Sequence, residues 1–171
     1  MASQFIHITL PDGTRKQVPA GCTVREALTP EGGRLDAKVL AAKINGEPMD
    51  LSRPLEQDAT IEPLTFESAE GREVYRHSST HIMAQAVKEV FPTAQLTIGP
   101  ALDDGFYYDF AFDRPFTPED LEKIEARAIE IMKRGLTVTR SELSKQDAIK
   151  FFQERGEGYK VELINSFDDA S

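Results

Sequence analysis

The sequence has 171 residues, of which 40% are hydrophobic and 29% are charged. A chain of this length and composition holds one ordinary domain or two small ones with a buried core. No apolar run approaches the roughly 18 residues that span a bilayer, and the first residues lack the basic and apolar regions of a signal peptide. The single cysteine, Cys22, excludes an internal disulfide and a cysteine-based zinc site. We therefore expect a soluble, cytoplasmic protein that does not contact a membrane.

The net charge is −9, from 20 basic and 29 acidic side chains. A protein that binds a phosphate backbone usually carries a basic patch. Here the basic residues are scattered singly or in pairs, such as Arg15 with Lys16 and Lys133 with Arg134. The composition therefore disfavours strong nucleic-acid binding by this chain alone, so any such contact must be local or must depend on residues outside the chain.

Residues 4–66 predict a compact unit of strands with one short helix. Apolar and polar residues alternate in FIHITL, and the Pro-Asp-Gly turn at residues 11–13 precedes TRKQV, which together indicate a hairpin. Thr23 and Glu26 have the spacing of a capping box. This signal predicts a helix that runs through Leu28 and stops in the glycine-rich segment after it.

The remainder of this unit is predicted to form strands. VLAAKI is followed by Asn45 and Gly46, a pair that tolerates the positive φ angles of a tight hairpin turn. A brief strand around residues 48–50 and a last strand in ATIEPLTF complete the unit. The order strand–strand–helix–strand–strand–strand is that of a β-grasp sheet with one packed helix. We therefore predict a β-grasp (ubiquitin-like) domain over residues 1–66.

Residues 67–171 predict a second domain of the α+β class. The small polar residues 67–71 indicate a junction, and a helical pattern follows over residues 73–90 until Pro92 stops it. AQLTIG and GFYYDFAF, joined across residues 100–105, are typical of strands in a second sheet.

Helices and strands then alternate toward the end of the chain. Thr-Pro-Glu-Asp at residues 117–120 starts a helix that ends at Gly135. LTVTRSEL predicts a strand, Ser144 opens a further helix, and residues 159–164 predict a final strand. The small acidic residues 165–171 indicate a frayed end.

The chemically unusual feature is the pair His77 and His81, four residues apart on the helix predicted over residues 73–90. This spacing projects both rings to one side of the helix. The apolar residues of the helix form a different arc, which comprises Tyr75, Ser79, Ile82, Met83, Ala86, Val87 and Val90. The pair is therefore expected to face solvent or a cleft that another element closes.

Spacing alone leaves three interpretations of the pair open. The first is a pair of ordinary exposed histidines. The second is a metal site, because imidazoles at this spacing commonly bind zinc, although Ser78 stands where the metallohydrolase motif has Glu. The third is acid–base or substrate-positioning work by imidazoles that are neutral near physiological pH.

Three further residues are candidates for the same site. Gly99 belongs to a Gly-Pro turn, Tyr108 belongs to the aromatic strand after it, and Lys160 follows a glycine-flanked segment. Tyr107 and Tyr108 alternate along a strand, so only one of them faces a given pocket. Each feature also has an ordinary interpretation: core aromatics, a plain turn at residues 103–105, and a solvated lysine.

Three segments of the second half resemble, in this order, the start of the editing domain of threonyl-tRNA synthetases. They are RHSSTHIMAQAVKEVFP, IGPALDDGFYYDF and GEGYKVELI. Residues 1–66 resemble the TGS module, the small β-grasp domain that opens bacterial members of that family. The related alanyl-tRNA editing domain shares the His-x-x-x-His element but is not preceded by a TGS module. The resemblance covers nearly the whole chain and implies a TGS domain at 1–66 and the first part of an editing domain at 67–171.

In that family the editing domain hydrolyses serine wrongly esterified to threonine tRNA. The resemblance implies that His77 and His81 hold the terminal adenosine and the hydrolytic water, and that Lys160 contacts the terminal ribose or the ester. Tyr108 matches the aromatic residue of the family pocket, and Gly99 is expected to give close access to the backbone. The implied partner is the acceptor end of threonine tRNA.

The family pocket is completed by a Cys-x-x-x-His element shortly after the region that matches residues 159–164, and the sequence ends at Ser171 before such an element. The ligase motifs of the family, which use ATP, magnesium and a zinc ion, also lie further downstream. We therefore expect no cofactor or metal in this chain, no aminoacylation, and weak or absent editing. The resemblance also implies a homodimeric parent enzyme, whereas the chain alone is expected to be a monomer.

Two other functions stay open. TGS domains also occur in regulatory proteins, so residues 1–66 are compatible with a non-catalytic RNA or protein interaction module. Such a protein is not expected to carry both the histidine pair and the FYYD strand. The other function is a metal-binding hydrolase that uses His77 and His81.

Overall fold

The computed structural model describes residues 4–102 and 104–167. The chain divides into two compact units, Met1–Tyr75 and Arg76–Ser171. Within the described residues, no helix combines the length and the apolar character that crossing a bilayer requires.

The first unit is built on a five-stranded mixed sheet. Its elements are β1 (Phe5–Thr9), β2 (Arg15–Pro19), α1 (Val24–Leu28), β3 (Ala41–Ile44), β4 (Glu47–Met49) and β5 (Ala59–Leu64). The strand order is β2-β1-β5-β3-β4, in which β1 and β5 are parallel and the other neighbours are antiparallel. This topology confirms the predicted β-grasp fold.

Local signals in the sequence account for the turns and the helix of this unit. Asn45 and Gly46 have φ angles of 52° and 92°, as the tight turn between β3 and β4 requires. At the start of α1, the Thr23 hydroxyl accepts from the Glu26 N–H at 3.2 Å, and the Glu26 carboxylate accepts from the Thr23 N–H at 2.7 Å. The predicted capping box is therefore present.

The core of the first unit lies between the sheet and α1. Ile8 of β1, Val24 of α1 and Ile61 of β5 are fully buried members of one apolar cluster. Burying a side chain of this size contributes roughly 1.5–3 kcal/mol relative to leaving it exposed. The alternation predicted for the first strand is confirmed, since Ile6 and Ile8 point inward.

A long helix, α2 (Ala69–Val90), carries the histidine pair. It begins four residues before the predicted start, so part of the expected polar junction at residues 67–71 is helical. The Ser68 hydroxyl accepts a hydrogen bond from the Gly71 N–H at 3.1 Å, which gives the helix a capped start. The prediction missed this cap because the polar residues were interpreted as a linker.

The aromatic region of the second unit forms two small nested hairpins rather than two long strands. The strands are β6 (Gln95–Leu96), β7 (Ala101–Leu102), β8 (Gly105–Phe106) and β9 (Phe110–Ala111). The outer pair is β6 with β9 and the inner pair is β7 with β8, both antiparallel. The predicted turn at residues 103–105 includes Asp103, which lies outside the described residues.

The next helix, α3 (Pro118–Arg134), matches its prediction. Thr117 and Asp120 form a capping box at its start, and Gly135 adopts the left-handed conformation at its end. Ile124 and Ile131 of this helix pack in one apolar cluster with Val87 of α2. This packing holds the second half of α2 in the core of the second unit.

Two predicted strands are wrong. LTVTRSEL, at residues 136–143, forms no regular element and is exposed throughout, with Val138 88% exposed. Residues 159–164 lie in α5 (Gly158–Asn165), which packs against α4 (Lys145–Gln153). The partly buried residues here are Glu157, Lys160, Val161 and Ile164, whose spacing has the period of a helix and not that of a strand.

The start of α4 at Ser144 is confirmed: its hydroxyl accepts from the Asp147 N–H at 3.2 Å. Of the predicted frayed end at residues 165–171, Asn165 ends α5, while residues 168–171 lie outside the described residues.

Candidate functional site

One side of α2 carries three polar side chains in a stripe: His77, His81 and Lys88. Residues four and eleven positions apart lie on nearly the same side of a helix with 3.6 residues per turn. Thr80 lies on the side of α2 next to this stripe and is 1% exposed. Its hydroxyl donates a hydrogen bond to the His77 carbonyl at 2.7 Å. The histidines themselves remain exposed to solvent on one side.

The two imidazoles contact each other directly. Their Nε2 atoms are 3.0 Å apart, and the rings meet edge to face with centroids separated by 4.7 Å. A hydrogen bond between two Nε2 atoms requires one of them to carry a proton and the other to accept it. At least one ring of the pair is therefore neutral when this bond is formed.

The pKa of His81 is lowered from its ordinary value of 6.5. Partial burial is the largest cause, followed by the positive charges that His77 and Lys160 place nearby. His81 is consequently neutral at physiological pH and has a nitrogen that accepts a proton or a hydrogen bond.

Lys160 reaches this neighbourhood from α5, so its backbone is helical although the sequence predicted a strand. Its ammonium lies 5.9 Å from the centre of the Phe152 ring of α4. Its positive charge is the third cause of the lowered pKa of His81, after burial and the charge of His77. The structure therefore brings together two helices that carry the predicted histidines and the predicted lysine.

Tyr108 and Gly99 form a second contact of the predicted set. A Cβ on Gly99 would lie 2.1 Å from Cδ2 of Tyr108, so the tyrosine ring covers the glycine backbone at a distance that no side chain allows. The same ring stacks on Phe110, with centroids 4.7 Å apart. Tyr107 is 48% exposed, so Tyr108 is the tyrosine that turns inward.

The pKa of Tyr108 is raised by burial and, to a smaller extent, by the negative charge of Glu157. Glu157 was not among the predicted residues. Its Oε1 atom lies 3.5 Å from Nζ of Lys88, at the end of the histidine stripe. Its Oε2 atom is buried and has no hydrogen-bond partner among the residues that the structure describes.

The sequence contained a weak signal for both of these missed residues. Glu157 stands between two glycines, and Lys88 is eleven residues from His77, in register with the pair. Neither signal indicates that Lys88 and Glu157 pair with each other, because the two residues are almost seventy positions apart in the chain.

The candidate site thus combines an imidazole pair in which His81 is neutral, an ammonium group and an inward-facing tyrosine. Such a set can bind a polar ligand, accept a proton from water and stabilise a developing negative charge. Over residues 4–102 and 104–167, no three side chains of the His, Cys, Asp and Glu types gather in a group suited to a metal ion.

Comparison with known proteins adds two findings. Residues 6–65 match the family model of the TGS domain, so the β-grasp unit is a TGS domain. The chain is also similar to threonine–tRNA ligases over nearly its whole length. It is 52% identical over 167 residues to that of Symbiobacterium thermophilum, which covers 98% of this chain and 26% of the relative.

The same similarity extends to other bacteria. The identity is 50% over 159 residues to the threonine–tRNA ligase of Citrifermentans bemidjiense, with 93% of this chain and 25% of the relative covered. It is 47% over 165 residues to that of Acetivibrio thermocellus, with 96% and 26% covered. The chain therefore spans about a quarter of the length of the curated relatives it matches.

Proposed function

We propose that this chain, a TGS-containing relative of threonine–tRNA ligases, contributes residues 67–171 to a proofreading site that hydrolyses serine wrongly esterified to threonine tRNA. The observation that carries this proposal is the contact of His77 with His81, with the charge of Lys160 acting on the same ring. An imidazole pair with an adjacent ammonium suits the hydrolysis of an ester whose alcohol is a ribose.

The need for such a site follows from the size of the two amino acids. Serine is threonine without a methyl group, and one methylene in a pocket discriminates by only about 10–200-fold. A synthetic site that accepts threonine therefore also accepts some serine. A second site that takes the smaller product and cleaves its ester corrects the error.

In the proposed reaction, water attacks the ester carbonyl carbon and the bond from this carbon to the ribose oxygen breaks. We propose that the Nε2–H of His81 donates to Nε2 of His77, which holds the ring in place, and that Nδ1 of the neutral His81 ring accepts a proton from the attacking water. The ammonium of Lys160 stabilises the negative charge on the carbonyl oxygen or binds the ribose. As the bond to the ribose breaks, the ribose oxygen takes up the proton that His81 received from water, and serine and the tRNA are released.

We place Tyr108 in the wall of this site, where its ring also covers the backbone of Gly99. The phenol keeps its proton at neutral pH, since its pKa is raised above an ordinary value that is already 10. It is therefore a hydrogen-bond donor toward the aminoacyl end of the substrate.

The wider activity is proposed from the relatives. We propose that the threonine–tRNA ligase reaction, with ATP, magnesium and a zinc ion, takes place in the parts of those relatives that this chain does not match. We propose the acceptor end of threonine tRNA as the partner, a homodimeric parent enzyme, and a cytoplasmic location.

The proposal is tested by following the histidine side-chain resonances while a non-hydrolysable seryl-adenosine analogue is added. Selective movement of His77 and His81, with His7 of the first unit unmoved, is the expected result. A threonyl-adenosine analogue is the matched ligand control and should bind more weakly, because its extra methyl group does not fit the site. Absence of any movement at millimolar seryl analogue, in a folded sample, would contradict the proposed function.

A further inference from the structure

The Lys88 side chain joins three segments of the second unit. Its ammonium donates to the Ala94 carbonyl at 3.0 Å and lies 3.5 Å from the Glu157 carboxylate. Lys88 belongs to α2, Ala94 directly precedes β6, and Glu157 directly precedes α5. One cation therefore connects the helix of the histidine pair to the beginning of the helix that carries Lys160.

This ion pair is largely removed from water. The side chains of Lys88 and Glu157 are 29% and 11% exposed, respectively. A pair in such surroundings is screened less than a surface pair, but both charges also lose hydration. The Oε2 atom of Glu157 has no partner within the described residues, so part of this loss is not offset. Stability alone is thus a poor explanation for a carboxylate at this position.

The backbone links Glu157 directly to Lys160. The Lys160 N–H donates to the Glu157 carbonyl at 3.1 Å, within the first turn of α5. On the other side of the contact, Lys88 lies seven residues, or about two helical turns, beyond His81 on the same side of α2. Holding Glu157 at Lys88 therefore sets how far along α2 the first turn of α5 lies.

We propose that Glu157 is a positioning residue of the candidate site: its contact with Lys88 holds the first turn of α5 so that the Lys160 ammonium lies beside His81. This inference builds on the proposed function, but the positioning itself is measurable without any hydrolysis. Glu157 has no assigned contact with the reacting atoms and acts through Lys160.

The first test is Glu157→Gln, which preserves the size of the side chain and removes its charge. The readout is the pH midpoint of the His81 ring resonances. If the positioning is lost, Lys160 moves away and the pKa of His81 rises. If Glu157 acts only through its own negative charge, removing that charge lowers the pKa of His81 instead. The two explanations predict shifts of opposite sign.

The matched control is Glu162→Gln, which removes an exposed carboxylate of the same helix and should leave the His81 midpoint unchanged. Lys88→Arg keeps the charge at the other end of the contact and should retain a nearly wild-type midpoint, whereas Lys88→Met should raise it. In the Lys88→Met background, Glu157→Gln should produce little further change, because the contact is already absent. Amide spectra confirm that each variant is folded.

An unchanged or lowered His81 midpoint in folded Glu157→Gln would overturn the proposal, as would additive effects of the two substitutions. Titration with the seryl-adenosine analogue separates this result from the proposed function. If the His81 midpoint is raised in Glu157→Gln but the wild-type chain does not bind the seryl-adenosine analogue, the positioning role of Glu157 is retained and the proposed editing function is contradicted. A wild-type chain that binds the analogue, with no midpoint change in Glu157→Gln, would retain editing and refute the positioning.

Discussion

Replacing Gly99 with alanine places a methyl group where the Tyr108 ring now lies. The added Cβ would be 2.1, 2.6 and 2.7 Å from Cδ2, Cε2 and Cγ of Tyr108, and these are the three nearest atoms. All three distances are far below van der Waals contact between carbons, which begins at about 3.5 Å. The tyrosine must therefore move away, and its stack on Phe110 must open.

The expected cost is that of overpacking a half-buried site, about 1–3 kcal/mol. Loss of the stack between Tyr108 and Phe110 places the cost toward the upper end of this range, since an aromatic pair contributes about 0.5–1.5 kcal/mol beyond the burial of its surface area. For a unit of roughly 100 residues, each kcal/mol lowers Tm by about 4–8 °C. Gly99→Ala should therefore be visible in any unfolding experiment on the second unit.

The assay is urea unfolding followed through amide resonances of each unit separately, because the chain has no tryptophan and the units need not unfold together. The matched control is Gly105→Ala, since a Cβ at Gly105 meets no atom of the described residues within 4 Å. In a Tyr108→Ala background the three clashing ring atoms are gone, so Gly99→Ala should cost little there. A neutral Gly99→Ala variant, or an equal cost with and without the Tyr108 ring, would refute the reasoning.

Three further outcomes are expected. Thr23→Ala removes the cap of α1 and should lower the stability of the first unit by about 1 kcal/mol in the same urea assay; no loss would mean that the cap is redundant. Asp120, whose pKa is lowered from 3.8 to about 2 mainly by Arg114, contributes stability that is complete above about pH 4 and is lost as the pH falls toward 2. Asp120→Asn should therefore unfold more easily at pH 7 and show a smaller further drop over that range, and an unchanged pH profile would contradict this assignment. Lys160→Met should raise the pKa of His81 in a ring-resonance titration because one source of positive charge is removed, whereas an unmoved midpoint would show that Lys160 does not act on this ring.

The first unit was predictable because its signals are local. The capping box at Thr23, the turn at Asn45 and Gly46, and the alternation in the first strand each depend on neighbours within a few residues. Each of these segments forms the element that its own residues favour, so the β-grasp order could be inferred without knowing any long-range contact.

The second unit was predicted less well because two of its segments carry ambiguous patterns. In residues 159–164, polar and apolar residues suit either a half-buried strand or a short helix. In the structure these residues form a helix that packs against α4. Residues 136–143 have the composition of a strand, but no other described segment pairs with them, and a strand is held by hydrogen bonds to a neighbouring strand.

The candidate site shows the same division. The sequence alone determined that His77 and His81 share one side of a helix, because four residues make about one turn of any α-helix. Only the tertiary structure decided that Lys160 acts on His81, that Tyr108 covers Gly99, and that Glu157 pairs with Lys88. Helical periodicity is a property of the backbone and can be read from spacing, whereas contacts between distant segments depend on how whole elements pack.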